Sequence, residues 1–131
     1  MASLRREIIL DNQASNVWAA LRDFNAVDRR VAPGFVTDSK PDGDARVVTF
    51  ANGTSAREQL VDLDDKTQRL VYAITSERVK HYNAAVQVFD ESGERCRLVW
   101  IVDLLPNEIA GYVGAQMDDA VRVMKPTLER A

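Results

Sequence analysis

The sequence predicts an α+β fold: a curved antiparallel sheet of seven strands, two short helices after the first strand, and a long C-terminal helix. Between residues 35 and 105, short stretches of alternating apolar and polar residues are separated by turn-forming residues, which is typical of strands. Apolar residues at helical spacing interrupt this pattern once, near the start. From residue 108 onward one apolar stripe at helical spacing continues for about six turns.

The first elements are a strand at 4–10 and two short helices. Ser15 is expected to cap the first helix, and Asn25 the second. The first helix has its apolar positions at Val17, Ala20, Leu21 and Phe24. Pro33 and Gly34 end the second helix, because neither residue favours helix continuation.

Six further strands follow, in antiparallel order along the chain. We predict them at 35–38, 46–50, 55–63, 70–79, 81–89 and 96–105. Clusters of turn residues separate them, and the pair Asn52-Gly53 is a strong hairpin signal between the second and third of these strands.

The long helix is predicted at 108–130, with Asn107 as its N-cap. One apolar face is formed by Ile109, Val113, Met117, Ala120, Val121, Met124 and Leu128. A single long helix with one apolar face, following many strands, predicts that the sheet curves around it and leaves a cavity between the two.

The composition indicates one domain spanning residues 1–131. A net charge of −3 and scattered basic residues argue against a nucleic-acid partner. No apolar run is long enough to suggest a membrane span. The single cysteine, Cys96, and a charged N-terminal stretch without a signal-peptide core favour a cytoplasmic location.

Four motifs in this order resemble the START-like, helix-grip (SRPBCC) superfamily of polyketide cyclases/dehydrases, lipid-transfer proteins and pollen-allergen relatives. They are the opening helix 15–24 with its Val-Trp pair, the strand and turn 58–65, the strand pair 70–74 and 82–88, and the final strand around Leu98-Val99-Trp100. The motifs span nearly the whole chain. The resemblance implies a helix-grip fold, and a family that contains carriers, hormone receptors and enzymes.

The resemblance also implies that Glu58 points into the cavity. Strand alternation places Ala56, Glu58, Leu60 and Asp62 on one face of the sheet. An inward carboxylate is suited to orient a ligand hydroxyl or to exchange a proton with the ligand. The alternative is a carboxylate at the surface or rim, paired with Arg46 or Arg57.

Other candidates combine apolar surface with a polar group. Tyr72 and Tyr82 can line a pocket and hydrogen-bond a ligand, or can cover the core with their hydroxyls in water. Gln116 lies within the apolar arc of the long helix, where its amide needs a ligand, water or side-chain partner. The complete predicted ligand-binding set is Glu58, Tyr72, Tyr82, Ala84, Trp100, Val113, Gln116, Met117, Ala120 and Met124.

We expect no metal site and no cofactor, because the single histidine, His81, and the lone cysteine provide no ligand cluster. The favoured function is binding or transport of a small apolar or amphipathic molecule between sheet and helix. One alternative is a polyketide cyclase or dehydratase that uses Glu58 and Tyr82, and another is an interaction module with a filled core. Whether the chain is an enzyme, and whether it is a monomer or a homodimer, both stay open on the sequence.

Overall fold

A computed structural model describes residues 1–131, and its seven strands form one curved antiparallel sheet with the order β1-β7-β6-β5-β4-β3-β2. The strands are β1 (Ala2–Leu10), β2 (Val36–Asp42), β3 (Ala45–Phe50), β4 (Ser55–Asp64), β5 (Arg69–Ile74), β6 (His81–Asp90) and β7 (Cys96–Leu105). The helices are α1 (Ala14–Arg22), α2 (Val27–Arg30) and α3 (Ala110–Glu129). The predicted α+β helix-grip architecture is therefore confirmed.

The core lies on the concave side of the sheet, between the strands and the helices. One cluster of 27 buried residues includes members from most of the strands and from all three α-helices. On α3 the buried positions are Val113, Gly114, Met117, Ala120, Met124 and Leu128. The apolar stripe predicted for this helix thus faces the sheet. No helix is long and apolar enough to cross a membrane.

The helix α3 is fastened to the edge strand β1 by polar contacts. Arg6 Nε donates to Asp118 Oδ1 at 2.6 Å, and Lys125 Nζ donates to the backbone carbonyl of Ile9 at 2.8 Å. These contacts hold two successive parts of the helix along β1. The strands at the other side of the sheet, β3 to β5, therefore face α3 across a gap.

The helix α1 is tied to the turn between β4 and β5 through Trp18, which is buried. Its indole nitrogen donates to Asp65 Oδ1 at 2.9 Å, and Arg22 Nε donates to the same oxygen at 2.8 Å. Both contacts lower the pKa of the Asp65 carboxyl, with the Arg22 hydrogen bond as the larger cause. The predicted polar turn at this position thus also anchors a helix.

All three predicted helix caps are wrong. Ser15 lies inside α1, whose N-cap is Gln13. Asn25 and Asn107 each lie in a single 3₁₀ turn that precedes the α-helix, so α2 begins at Val27 and α3 at Ala110. At α2 and α3 the reason is that the 3₁₀ turn satisfies part of the backbone at the helix start without a side-chain oxygen.

Two predicted strand boundaries are also wrong. The strand predicted at 35–38 continues to Asp42, because β2 pairs with β3 along its whole length. The strand predicted at 70–79 ends at Ile74, because its partner β6 pairs only as far as Ala73 opposite Asn83. The chain from 75 to 80 therefore connects the two strands outside the β5–β6 ladder, and Lys80 N–H at its end donates to the Leu105 carbonyl of β7.

The predicted face of Asp62 is wrong as well. The β4–β5 pairing shifts between Leu60 and Asp62, which leaves Val61 as an extra residue in β4. Such a bulge reverses the alternation beyond it. Leu63, rather than Asp62, consequently packs against the core, and Asp62 is exposed.

We predict that Leu128→Ala lowers the free energy of unfolding by about 2–5 kcal/mol, measured by urea denaturation. Leu128 is fully buried in the core, so the substitution removes apolar contacts and leaves a cavity. Val61→Ala is the control: Val61 is exposed, and trimming it should change stability by less than about 0.5 kcal/mol. Equal effects of the two substitutions would contradict this packing.

Candidate functional site

A cavity of about 550 Å³ lies between α3 and the concave face of the sheet. Thirty residues line it, and 21 of them are hydrophobic. This size and this mainly apolar wall are typical of sites for small molecules, which range from about 300 to 1,000 Å³. The gap between α3 and strands β3 to β5 thus has the size and lining of a small-molecule site.

The cavity opens to solvent at the N-terminal end of α3. The lining residues there are exposed: Thr54 from the β3–β4 hairpin, Ser76 and Arg78 from the β5–β6 connection, and Tyr112 from α3. Asn52 Nδ2 donates to the Tyr112 hydroxyl at 3.1 Å, which connects the hairpin to the helix across the mouth. The opposite end is closed by packed core.

Nine of the ten predicted ligand-binding residues lie in the cavity wall. They are Glu58, Tyr72, Tyr82, Trp100, Val113, Gln116, Met117, Ala120 and Met124. They come from five elements, β4, β5, β6, β7 and α3. The structure thus brings together residues that are up to 66 positions apart in the chain (124 minus 58).

Ala84, the tenth predicted ligand-binding residue, does not line the cavity. It lies in β6 between Tyr82 and Val86, both of which do line the cavity. Ala84 is fully buried in the core, with Tyr72 and Val102 opposite it on the neighbouring strands. Its short side chain does not reach the cavity surface beside these larger neighbours.

A buried ion pair forms the polar part of the wall. Arg46 and Glu58 are directly opposite each other on β3 and β4, and Arg46 Nε donates to Glu58 Oε1 at 2.7 Å. Their side chains are only 6% and 7% exposed. The inward position of Glu58 and its pairing with Arg46, which the sequence offered as alternatives, therefore occur together.

The Arg46 guanidinium is held from several sides. Its Nη1 donates to the backbone carbonyl of Phe24 at 2.7 Å. Its Cζ lies 4.0 Å from the centre of the Phe24 ring and 5.1 Å from that of the Tyr72 ring. Aromatic faces attract a cation, so these rings offset part of the cost of burying it. The result is a fixed cation in an otherwise apolar wall.

Arg46 was expected only as a possible partner of Glu58 and was not among the predicted ligand-binding residues. A signal was present: Arg46 alternates with Val48 and Phe50 in β3, so it belongs to the inward face of that strand. A charged residue in an inward set must be paired, because burial of an isolated charge is costly.

The two tyrosines lie close to the ion pair. Burial raises the pKa of Tyr72 well above its ordinary value, and the nearby Glu58 carboxylate and Tyr82 raise it further. Burial likewise raises the pKa of Tyr82, with Glu58 as the second cause. Both hydroxyls therefore keep their protons throughout the physiological range and can donate hydrogen bonds into the cavity.

Gln116 lies in the cavity wall, half-buried on α3. It accordingly adds an amide donor and an amide acceptor on the helix side, opposite the ion pair of the sheet side. His81 is exposed at the start of β6, and no group of three or more His, Cys, Asp or Glu side chains is placed to hold a metal ion.

We predict that stability declines as pH rises above about 10, and that Tyr82→Phe weakens this decline. In the unfolded chain a tyrosine loses its proton near its ordinary pKa, whereas folded Tyr72 and Tyr82 retain theirs. The unfolded state then binds fewer protons than the folded state, so the free energy of unfolding falls with increasing pH. Urea denaturation at pH 8 to 11 measures it.

Tyr112→Phe is the control for that measurement, because Tyr112 is exposed. Identical pH dependence in the Tyr82→Phe variant and the original chain would contradict the burial of the Tyr82 hydroxyl.

Solved structures of other proteins share this fold over almost their full length. A putative uncharacterized protein from Bacillus thuringiensis superimposes with a TM-score of 0.85 at 18% identity, covering 97% of this chain and 98% of that one. Norcoclaurine synthase from Thalictrum flavum, in complex with a transition state analogue, gives 0.70 at 17% identity, covering 98% and 95%. A START superfamily protein from Mycobacterium smegmatis gives 0.72 at 6% identity, covering 98% and 94%.

No curated protein matches the sequence significantly. The sequence model of the family described as "Polyketide cyclase / dehydrase and lipid transport" matches residues 1–131, which is the whole chain. The match agrees with the superfamily resemblance carried by the four sequence motifs, and with the helix-grip neighbours. The chain belongs to the polyketide cyclase/dehydrase and lipid transport family.

Proposed function

We propose that this protein binds or transports a small hydrophobic or amphipathic molecule in the cavity between the sheet and α3. The observation that carries the proposal is the cavity itself, at about 550 Å³ and with 21 hydrophobic residues among its 30 lining residues. A water-filled space with such walls is unfavourable, whereas an apolar ligand buries its own surface there. Membership of a family that includes lipid transport supports the same function.

The wall suggests how such a ligand is oriented. Val113, Met117 and Met124 from α3 offer apolar surface, and the methionines can adapt their shape to different ligands. Glu58, with Tyr72 and Tyr82 nearby, offers polar groups on the sheet side. We therefore propose that the apolar body packs along the helix while its polar group points toward β4 to β6.

We further propose that residues 1–131 act as a single ligand-binding domain, and that the protein works in the cytoplasm. The first proposal is supported by the one continuous sheet and one core cluster, and the second by the free, buried Cys96.

We predict that Ala120→Trp abolishes binding of an apolar probe such as 1-aminoanthracene, with at least a tenfold loss of affinity in fluorescence titration. Ala120 lies on the buried face of α3 and lines the cavity, so an indole there occupies the ligand's space. Ala115→Trp is the matched control, because Ala115 is exposed on the same helix and outside the cavity wall. Unchanged affinity in Ala120→Trp would place the probe elsewhere.

A second candidate function is a cyclase or dehydratase of the polyketide type. Two findings favour it: a buried carboxylate with tyrosine hydroxyls close by, and the fold shared with norcoclaurine synthase. In such a reaction Glu58 accepts a proton from a methylene between two carbonyls. The enolate attacks another carbonyl of the same chain, and the new alkoxide, hydrogen-bonded by Tyr82, takes the proton back from Glu58.

The enzyme hypothesis predicts that Glu58→Gln reduces turnover of a linear poly-β-ketone thioester at least 100-fold, because an amide cannot accept the proton. Formation of the cyclic product is followed by chromatography. Asp62→Asn serves as the control, since it removes an exposed carboxylate from the same strand. Turnover that is absent in the original chain, or equal in the two variants, removes this candidate.

A further inference from the structure

The polar cluster of the cavity wall, formed by Arg46, Glu58, Tyr72 and Tyr82, indicates which ligands the site accepts. We infer that the buried polar group of the ligand is uncharged and carries a hydrogen-bond donor and an acceptor side by side, as in a primary carboxamide. This inference rests on the proposed function, since it concerns the ligand of the same cavity.

The polar cluster carries no net charge. One cation, Arg46, and one anion, Glu58, neutralise each other, and both tyrosines are protonated. Arg46, Glu58 and Tyr72 are buried and Tyr82 is half-buried, so charges among them interact more strongly than in water. An anionic ligand group would lie beside Glu58 and a cationic one beside Arg46. Neither would find a free counter-charge, and each would lose its hydration.

The ion pair has two hydrogen-bonding atoms without a partner, one on each residue. Arg46 uses Nε for Glu58 and Nη1 for the Phe24 carbonyl, while its Nη2 has no partner in the chain. Glu58 accepts through Oε1, while its Oε2 has no partner. Neither atom is enclosed by the protein, because the only fully buried polar side-chain atom without a partner is Ser39 Oγ. Since both residues line the cavity, one free donor and one free acceptor face it.

A ligand group with its own donor and acceptor satisfies both atoms at once. Its N–H or O–H donates to Glu58 Oε2, and its carbonyl accepts from Arg46 Nη2. Hydrogen bonds to charged groups are stronger than neutral ones. Groups that carry only an acceptor leave the carboxylate oxygen without a partner, which is the costly case in a buried site.

The mouth of the cavity is the place where an anionic headgroup could bind instead. Arg57 is paired with Asp42, whereas Arg78 lines the opening without an ion-pair partner. An anionic amphiphile could leave its headgroup in water beside Arg78 and bury only its tail. Arg78 is exposed, and ion pairs in water contribute little, so this arrangement gains less than the buried donor–acceptor match.

Calorimetric titration of the protein at pH 8 with three probes of equal chain length tests the inference. Octanamide provides donor and acceptor, N,N-dimethyloctanamide provides the acceptor alone, and octanoate is an anion. We expect octanamide to bind at least tenfold more tightly than either of the others. Octanoate binding as tightly as octanamide, or equal affinity of the two amides, would overturn the inference while leaving the ligand-binding function intact. No binding by any probe would count against both.

The variant Glu58→Gln provides a sharper test, because it leaves the Arg46 charge uncompensated. We expect its preference to reverse, with octanoate binding at least tenfold more tightly than octanamide. Asp62→Asn, which changes the net charge equally at an exposed position of β4, should keep the original preference. A preference in Glu58→Gln that matches the original chain would refute the role of the ion pair.

A double variant keeps the test decisive if Glu58→Gln fails to fold. Replacing a buried ion pair by apolar residues of similar volume is often neutral or stabilising. In Arg46→Met with Glu58→Leu, the advantage of octanamide over N,N-dimethyloctanamide should fall to less than twofold. A persisting tenfold advantage would show that other groups of the cavity recognise the amide and would overturn the inference.

Discussion

The attachment of α3 to one edge of the sheet is the constraint on which the site depends. Arg6 and Lys125 fix the helix along β1, while the sheet continues through six more strands. The side chains of one helix cannot reach across the full width of a curved seven-stranded sheet. Leu128 fills the core at one end of the helix, and beyond it the apolar face of α3 looks across an open space.

This arrangement also explains why the mouth lies where it does. The N-terminal part of α3 is joined to the β3–β4 hairpin by the hydrogen bond between Asn52 and Tyr112. The β5–β6 connection, which makes no sheet ladder between Ile74 and His81, forms the neighbouring rim. Both rim segments lack the dense packing of the core, so local opening at this end costs less than opening elsewhere. The closed end of the cavity is therefore fixed by core packing, whereas its mouth can open more easily.

Folding stability alone does not explain why the Arg46–Glu58 pair is buried in the cavity wall. Removing two charges from water costs several kcal/mol for each ion, and their attraction only roughly offsets that cost. Phe24 and Tyr72 reduce the cost through their ring faces and the Phe24 carbonyl, without using every hydrogen-bonding atom of the pair. A stability role alone would favour an apolar pair here. The incomplete satisfaction of the pair is instead what a polar ligand group can complete.

The sequence predicted correctly those features of the fold and of the site that a local residue pattern determines. The last strand, 96–105, was predicted with its exact bounds, because its apolar residues and flanking turns agree. The apolar face of α3 identified four wall residues by spacing alone: Val113, Met117, Ala120 and Met124. The helix caps and the end of β5 failed, because 3₁₀ turns and the extent of pairing with β6 are tertiary features.

The partner of Glu58 shows the limit most clearly. A two-residue turn at Asn52-Gly53 would pair residue 51 with residue 54 and place Val47 opposite Glu58. The observed hairpin is longer by one residue, with Thr49 opposite Ser55, and this brings Arg46 opposite Glu58 instead. A difference of one residue in the turn therefore decides whether the cavity holds a balanced ion pair or a lone carboxylate. Loop geometry of this kind is not encoded in the apolar pattern of the strands.

The cavity links stability to function. A ligand that binds only the folded state adds stability in proportion to its occupancy, about 2.7 kcal/mol at a concentration one hundred times its dissociation constant. In this chain the ligand's apolar body would contact α3 and the sheet simultaneously, which supplies the packing that the edge attachment of α3 leaves out. On the proposed function, the bound molecule would complete the packing of the core, and its polar group would complete the hydrogen bonds of the ion pair. The attachment of α3 to β1 thus leaves the space for the proposed ligand, and the apolar wall of that space would make its binding favourable.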